Sequence, residues 1–126
     1  MFEPFITRAL APHVPLAPAQ IQALLTPPPS PDLGDIAFPC FALAKALRQA
    51  PNAIAAALAA QIRPTAPIAS VTAAGAYVNF HLDRAEAGAQ LLREVLTQPD
   101  TWGGSTEGAG QTVCVDFCSP NVARRM

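Results

Sequence analysis

Tyr77, Asn79 and His81 fall on one face of the segment Tyr77-Val78-Asn79-Phe80-His81-Leu82 if that segment is a strand, because side chains of a strand alternate between its two sides. Val78, Phe80 and Leu82 then form the opposite, apolar face. A phenol ring can stack on a nucleobase. A carboxamide carries both a donor and an acceptor, and can read a base edge where a loop splays the base out. The alternative for the same residues is a solvated strand face built of ordinary β-formers.

Other groupings carry less chemistry. Cys114, Asp116, Cys118 and Ser119 lie close together, but a Cys or Ser nucleophile needs a base, and the histidines are His13 and His81, neither nearby in sequence. A strand with polar alternation accounts for them, and no catalytic residue is assigned. Three cysteines, Cys40, Cys114 and Cys118, are an odd number for a disulfide framework. Cys114 and Cys118 lack an obvious third and fourth ligand, so no metal site is expected. The cysteines read as buried thiols in a reducing compartment. Gly103, Gly104, Gly108 and Gly110 precede an expected strand and no Lys follows them, so they are linker residues and not a phosphate-binding loop. Lys45, Arg48 and Arg63 can contact phosphates or simply form a solvated face.

The elements that must position these groups follow from pattern and punctuation. Phe2, Phe5, Ile6, Ala9 and Leu10 keep helical spacing until Pro12 and Pro15. Residues 21–25 form a short apolar run, read as a strand with a helical turn as the alternative. The prolines of residues 26–32 lack donors and fix φ, which predicts an extended surface loop, a stiff connector in preference to a recognition peptide. Pro39 suits the first turn of a helix running to about residue 49, with Cys40, Leu43, Ala44 and Leu47 as its apolar face. Lys45 and Arg48 sit near its C-terminal end, where the dipole favours cations. Pro51 opens a second helix whose Ile54, Leu58 and Ile62 recur every four residues, ended by Arg63 and Pro64.

Residues 68–72 and 77–82 read as two strands joined through residues 73–76, with Gly75 available for positive φ. Asp83 and Glu86 form a variant capping box for a helix that turns Ala87, Leu91, Leu92, Val95 and Leu96 inward and stops before Pro99. Residues 102–110 are a Gly-rich linker. Residues 111–117 read as a strand with Val113, Val115 and Phe117 on one face, followed by a turn at Ser119-Pro120-Asn121. The expected class is α+β: a small antiparallel sheet packed with several helices (1–100), a linker (101–110), and the first strand of an incomplete α/β domain (111–126).

Composition narrows the function classes. Of 126 residues, 51% are apolar, which excludes a mainly disordered chain. Pro or charge interrupts every apolar stretch, so no membrane span is expected, and Glu3 stands where a signal peptide wants bases, which leaves the cytoplasm as the expected compartment. Eight basic and nine acidic residues give a net charge of −1, so no basic nucleic-acid footprint is present, and any RNA binding by the isolated chain should be weak and salt-sensitive.

Four segments resemble arginyl-tRNA synthetases: Gly34-Asp35-Ile36-Ala37-Phe38-Pro39-Cys40-Phe41-Ala42-Leu43-Ala44-Lys45, then Ala50-Pro51-Asn52-Ala53-Ile54-Ala55, then Gly75-Ala76-Tyr77-Val78-Asn79-Phe80, and Val115-Asp116-Phe117-Cys118-Ser119-Pro120-Asn121-Val122-Ala123. They stand in family order and at family spacing, from about residue 32 onward. The resemblance implies an N-terminal α+β domain that contacts the tRNA elbow at the D-loop, with Tyr77 and Asn79 reading an exposed base; Lys45 and Arg48 are taken as tRNA contacts from their charge and position and not from the resemblance. It also implies Ser119 and Asn121 as contacts to arginine. The family's next segment, with the H-x-G-H signature that stabilises ATP phosphates, has no counterpart here. The sequence reads Ala123-Arg124-Arg125-Met126, and Cys118 stands where the family usually has Ser. ATP and Mg²⁺ are therefore implied for the full-length family reaction, and no cofactor and no catalysis are expected of this chain alone. A monomer that binds tRNA, without DNA or membrane partners, is the expectation. A noncatalytic protein-interaction module or a gene fragment without separate function are the alternatives.

Overall fold

The computed structural model describes residues 1–106 and 108–116. Its first helix, α1 (Glu3–Leu10), has Pro4 in the first turn, Glu3 near its N-terminus and Arg8 in its last turn, as the helix dipole favours. It buries Ile6, Thr7 and Leu10. The apolar run after it is not a strand. It forms α2 (Pro18–Leu24), because Pro18 supplies a preset helical φ after an extended Ala17, whose amide donates to Gln20 Oε1 at 2.9 Å.

The proline segment is irregular except at Pro31–Leu33, which makes one 3₁₀ turn capped by Ser30. Its first residue is also anchored. Thr26 and Ala37 exchange backbone hydrogen bonds of 3.0 and 2.8 Å, forming an isolated antiparallel bridge.

A strand then appears where a helix was expected to begin. β1 (Ile36–Pro39) precedes α3 (Phe41–Leu47). Pro39 is the last strand residue and not a first helical one. The reason is non-local: β1 pairs with β3 (Tyr77–Leu82), whose partner residues lie 38 to 44 positions away in sequence, from Pro39 opposite Tyr77 to Ile36 opposite Phe80. α4 (Pro51–Gln61) starts on Pro51 and buries Ile54, Ala55 and Leu58. β2 (Ile68–Ala74) turns back into β3 through Gly75 and Ala76, with Gly75 at φ +57°. α5 (Arg84–Thr97) is capped by Asp83, whose Oδ1 accepts from the Ala85 and Glu86 amides at 2.9 and 3.0 Å.

The sheet has the order β1-β3-β2, all antiparallel. Register places Ile36 opposite Phe80 and Phe38 opposite Val78 on one face. That face meets the helices in one core cluster, which includes Ile6, Leu10, Ile21, Phe38, Leu43, Ile54, Leu58, Val78 and Phe80. Burying each large apolar side chain contributes roughly 1.5–3 kcal/mol.

Three expected core contributions lie elsewhere. Leu47 is exposed beyond the stripe begun by Leu43. No residue of α5 is buried: Ala87, Leu91 and Val95 are half-buried, and Leu92 and Leu96 are 61% and 77% exposed, because the helix lies at the edge of the core and not over it. Residues 111–116 form no strand, since no described segment pairs with their backbone. Residue 117 and the turn at 119–121 lie outside the described residues.

Candidate functional site

The sheet face opposite the core is the one that carries Tyr77 and Asn79. Across β3, Asn79 stands between Ala37 of β1 and Thr72 of β2, and Tyr77 between Pro39 and Ala74. These neighbours are small or flat, so the face has room above it. The proline segment crosses that room. Thr26, Pro27, Pro28, Pro29 and Leu33 form one wall of a cavity of about 330 Å³, and Ala37, Ala74, Tyr77 and Asn79 form the rest. This volume lies at the small end of ligand pockets, which run from about 300 to 1,000 Å³.

Two residues hold the loop over the sheet. Gly34 has φ +135°, and a Cβ built on it would lie 2.9 Å from the Phe80 carbonyl oxygen and 3.4 Å from Asn79 Cβ. Only a residue without a side chain passes there. Asp35 follows, donating its amide to the Phe80 carbonyl at 2.9 Å and accepting the Leu82 amide on Oδ2 at 2.8 Å. The Gly34-Asp35 pair thus ties the loop to β3 immediately beside Asn79.

Asn79 is 2% exposed, and its carboxamide has no hydrogen-bond partner among the described residues. Its polar atoms are not sealed off, since Thr7 Oγ1 is the one buried side-chain atom without a partner among the described residues; the amide edge is open to the cavity it lines. Tyr77 is 38% exposed at the cavity mouth. Its ring meets Phe41 edge-on, with centroids 5.6 Å apart and planes at 81°. Phe41 reaches it because the Cys40 amide donates to the Ala76 carbonyl at 2.9 Å, which docks the start of α3 on the β2–β3 turn.

The remaining sequence candidates are placed differently. His81 is on the expected face but outside the cavity, with Nε2 3.4 Å from Thr72 Oγ1. Lys45 and Arg48 are exposed on α3 and at its end, four and seven residues beyond Phe41, and do not line the cavity. Arg48 adopts the left-handed conformation at the helix C-cap. Cys40 is buried, and burial pushes its thiol up to about 11, so it is protonated and inert at neutral pH. Cys114 is exposed, contrary to the expected buried thiol, because residues around it join no core. Ser119, Asn121 and Cys118 lie outside the described residues. Among the described residues no three His, Cys, Asp or Glu side chains converge as a metal site would require.

Sequence reasoning passed over Phe41 and treated the proline segment as a connector. Phe41 was legible in principle, since it falls off the Cys40, Leu43 and Ala44 stripe and so had to face outward. The loop's role as a wall depends on the Thr26–Ala37 bridge, which no local pattern announces. The resulting site has a flat aromatic ring, proline walls and one amide edge, with no charged lining residue. It can hold and read a planar heterocycle, and it presents neither nucleophile nor base.

The family model described as the arginyl tRNA synthetase N terminal domain matches residues 3–82, which include Tyr77, Asn79, Lys45 and Arg48. The arginine–tRNA ligase of Clostridioides difficile is 42% identical over 109 residues, covering 86% of this chain and 19% of that protein. The arginine–tRNA ligase of Clostridium perfringens is 38% identical over 123 residues, covering 98% of this chain and 22% of that protein. The chain therefore spans about a fifth of the length of these curated relatives. The arginyl-tRNA synthetase of Thermus thermophilus superimposes with a TM-score of 0.53 at 36% identity, over 75% of this chain and 15% of that one.

Proposed function

The chain belongs to the arginyl-tRNA synthetase family through its N-terminal domain, and from that premise we propose that its cavity receives one unstacked base of a tRNA loop, the D-loop at the elbow. Tyr77 packs on the base, Asn79 hydrogen-bonds its edge, and the prolines close the other side. The observation that carries this reading is the position of Asn79, 2% exposed and with no side-chain hydrogen bond among the described residues, in the lining of a heterocycle-sized cavity beside Tyr77. A base supplies the donor and acceptor that the protein leaves unmet, and stacking on an aromatic side chain contributes about 1–3 kcal/mol per base.

Lys45 and Arg48 serve the flanking phosphates along the exposed side of α3. Their contribution is sequence-independent and screened by salt. With a net charge of −1, the chain as a monomer binds tRNA weakly and in the cytoplasm, and works as a selector. The division into residues 1–100 for recognition, 101–110 as linker and 111–126 as the entry to a second unit belongs to the same reading. Joining arginine to tRNA with ATP and Mg²⁺ is assigned to the part of the relatives' length that this chain does not span. Ser119 and Asn121 are retained as contacts to arginine in that larger setting.

The test is binding of the purified chain to an arginine-accepting tRNA and to a variant with one D-loop base replaced, at low and moderate salt. Base-dependent affinity that disappears in Asn79→Ala supports the reading. Equal affinity for both tRNAs in the parent chain refutes it.

A further inference from the structure

We infer that the groove between the C-terminal ends of α1 and α4 is an anion site that takes a phosphate group. Arg8 and His13, on α1 and the turn that follows it, and Arg63, just after α4, come from two separate stretches of chain and line one cavity of about 450 Å³, together with Phe5, Pro12, Ile62 and the segment carrying Thr65 and Ala66. Ile62 is buried in the core and gives the groove a fixed floor. The Thr65 carbonyl accepts the Ile68 amide at 2.8 Å, which pins the wall to the start of β2.

The electrostatics are one-sided. No carboxylate lines the groove. Among the described residues, none of the three cationic or titratable side chains has an ion-pair or hydrogen-bond partner. Glu3, the acidic residue nearest Arg8 in sequence, is paired with the N-terminal amine. Two helix ends contribute carbonyl charge equivalent to about −0.5 each, which the two guanidiniums exceed. Arg8 alone would be explained by the dipole of its own helix. Arg63 and His13 lie just beyond helix C-terminal ends and are favoured there in the same way, but the dipoles do not account for the three converging on one groove.

A guanidinium pair matches the oxygens of a phosphate with forked, charge-assisted hydrogen bonds. The groove is open, so affinity comes from donors and not from enclosure. It lies towards the end of the sheet marked by Ile68, whereas the base cavity lies at the hairpin end marked by Ala74 and Tyr77. The inference therefore stands independently of the base cavity.

The test is a backbone-amide NMR titration of the chain with sodium phosphate against sodium chloride at matched ionic strength, and in parallel with a short uridine oligomer lacking terminal phosphates. The expected result is saturable shifts confined to residues 8–13 and 61–66, with Tyr77 and Asn79 unmoved. Arg8→Gln and Arg63→Gln each weaken binding about five-fold, the double variant loses saturation, and Arg84→Gln changes nothing. Arg63→Lys, which keeps the charge and loses the fork, binds more weakly than the parent and more tightly than Arg63→Gln, and unchanged amide shifts of the core in Arg8→Gln, Arg63→Gln and Arg63→Lys exclude a folding defect as the cause. Tighter binding of free phosphate identifies a small phosphorylated solute as the source, and tighter binding of the oligomer identifies a nucleic-acid backbone. Shifts that grow linearly without saturation, or that spread equally to Arg84 and Arg93, overturn the assignment, as does a double variant that binds like the parent.

Discussion

The carboxylate of Asp35 accepts the backbone amide of Leu82 at 2.8 Å across 47 residues of sequence. Leu82 closes the central strand, and Asp35 opens the one beside it. The bond fixes the relation between the loop and the strand that carries Asn79, so the shape of the cavity depends on it. Asp35→Ala should lower stability by about 1.5–3 kcal/mol, the range for a hydrogen bond to a charged group. Urea unfolding with an unchanged slope and a lower midpoint would establish this. A midpoint equal to the parent's would show that the loop is held by other contacts.

Gly34→Ala should be harsher. The added Cβ meets a backbone carbonyl oxygen at 2.9 Å, which has no flexible end to move aside, and φ +135° is disfavoured for any L side chain. The loop must lift from β3 or the chain must lose more than about 2 kcal/mol. Lifting opens the cavity, so loss of base-dependent tRNA binding in a variant that still folds is the informative outcome. Full stability together with full binding would rule out the tight passage.

Phe41→Ala removes the edge-on partner of Tyr77. Aromatic pairs of this geometry contribute about 0.5–1.5 kcal/mol beyond area burial. Phe41 is 55% exposed, so little core packing is lost with it. The stability change should stay near 1 kcal/mol, while affinity for tRNA falls because Tyr77 is no longer held upright at the cavity mouth. Phe41→Leu, which restores bulk without the ring, should recover stability more than affinity. Recovery of both to the same extent would reduce Phe41 to a packing residue.

The division between what pattern reveals and what it conceals is visible in β1 and β3. β3 is legible because Tyr77 to Leu82 alternates with period two: Val78 and Phe80 lie in the core, and Tyr77 and Asn79 line the cavity on the other face, with His81 outside it. β1 is concealed because its four residues end in a proline that is equally suited to begin a helix. Only pairing with β3 decides the matter, and pairing is a tertiary fact. Exposed Leu92 and Leu96 teach the same lesson for α5: period gives the stripe, and contact partners give burial. The Tyr77 and Asn79 pair could be named from sequence, whereas the proline wall above them required the Thr26 bridge and the Gly34 passage.

Cys40 makes stability depend on pH in the alkaline range. Its folded thiol titrates near 11 against an ordinary value of 9.0, because burial penalises the thiolate. The unfolded chain therefore releases this proton first as pH rises, and unfolding becomes progressively easier between about pH 9 and 11. Below that window both states keep the proton and the effect vanishes. The full loss is on the order of 2 kcal/mol, and Cys40→Ala should abolish the alkaline slope contributed by this group even if it lowers stability overall. A thiol reagent should label exposed Cys114 quickly in the native chain and Cys40 only on unfolding. An alkaline slope identical in Cys40→Ala would assign it to other groups.

Asn79→Leu separates the needs of folding from those of recognition. The side chains are similar in size, and the position is 2% exposed in the middle of a sheet. The parent carboxamide makes no side-chain hydrogen bond among the described residues and opens to the cavity, so folding gains no bond from it and desolvates it only in part. Replacement by an apolar side chain should be neutral or raise stability by about 1–2 kcal/mol. Discrimination among D-loop bases should vanish in the same variant, since the edge-reading group is gone while the stacking ring remains. Higher thermal stability together with equal affinity for all D-loop bases would mark Asn79 as a residue kept for its ligand at a cost to the fold. Destabilisation by several kcal/mol would instead mean that the amide is satisfied within the protein, and the case for a waiting hydrogen-bond partner would fail.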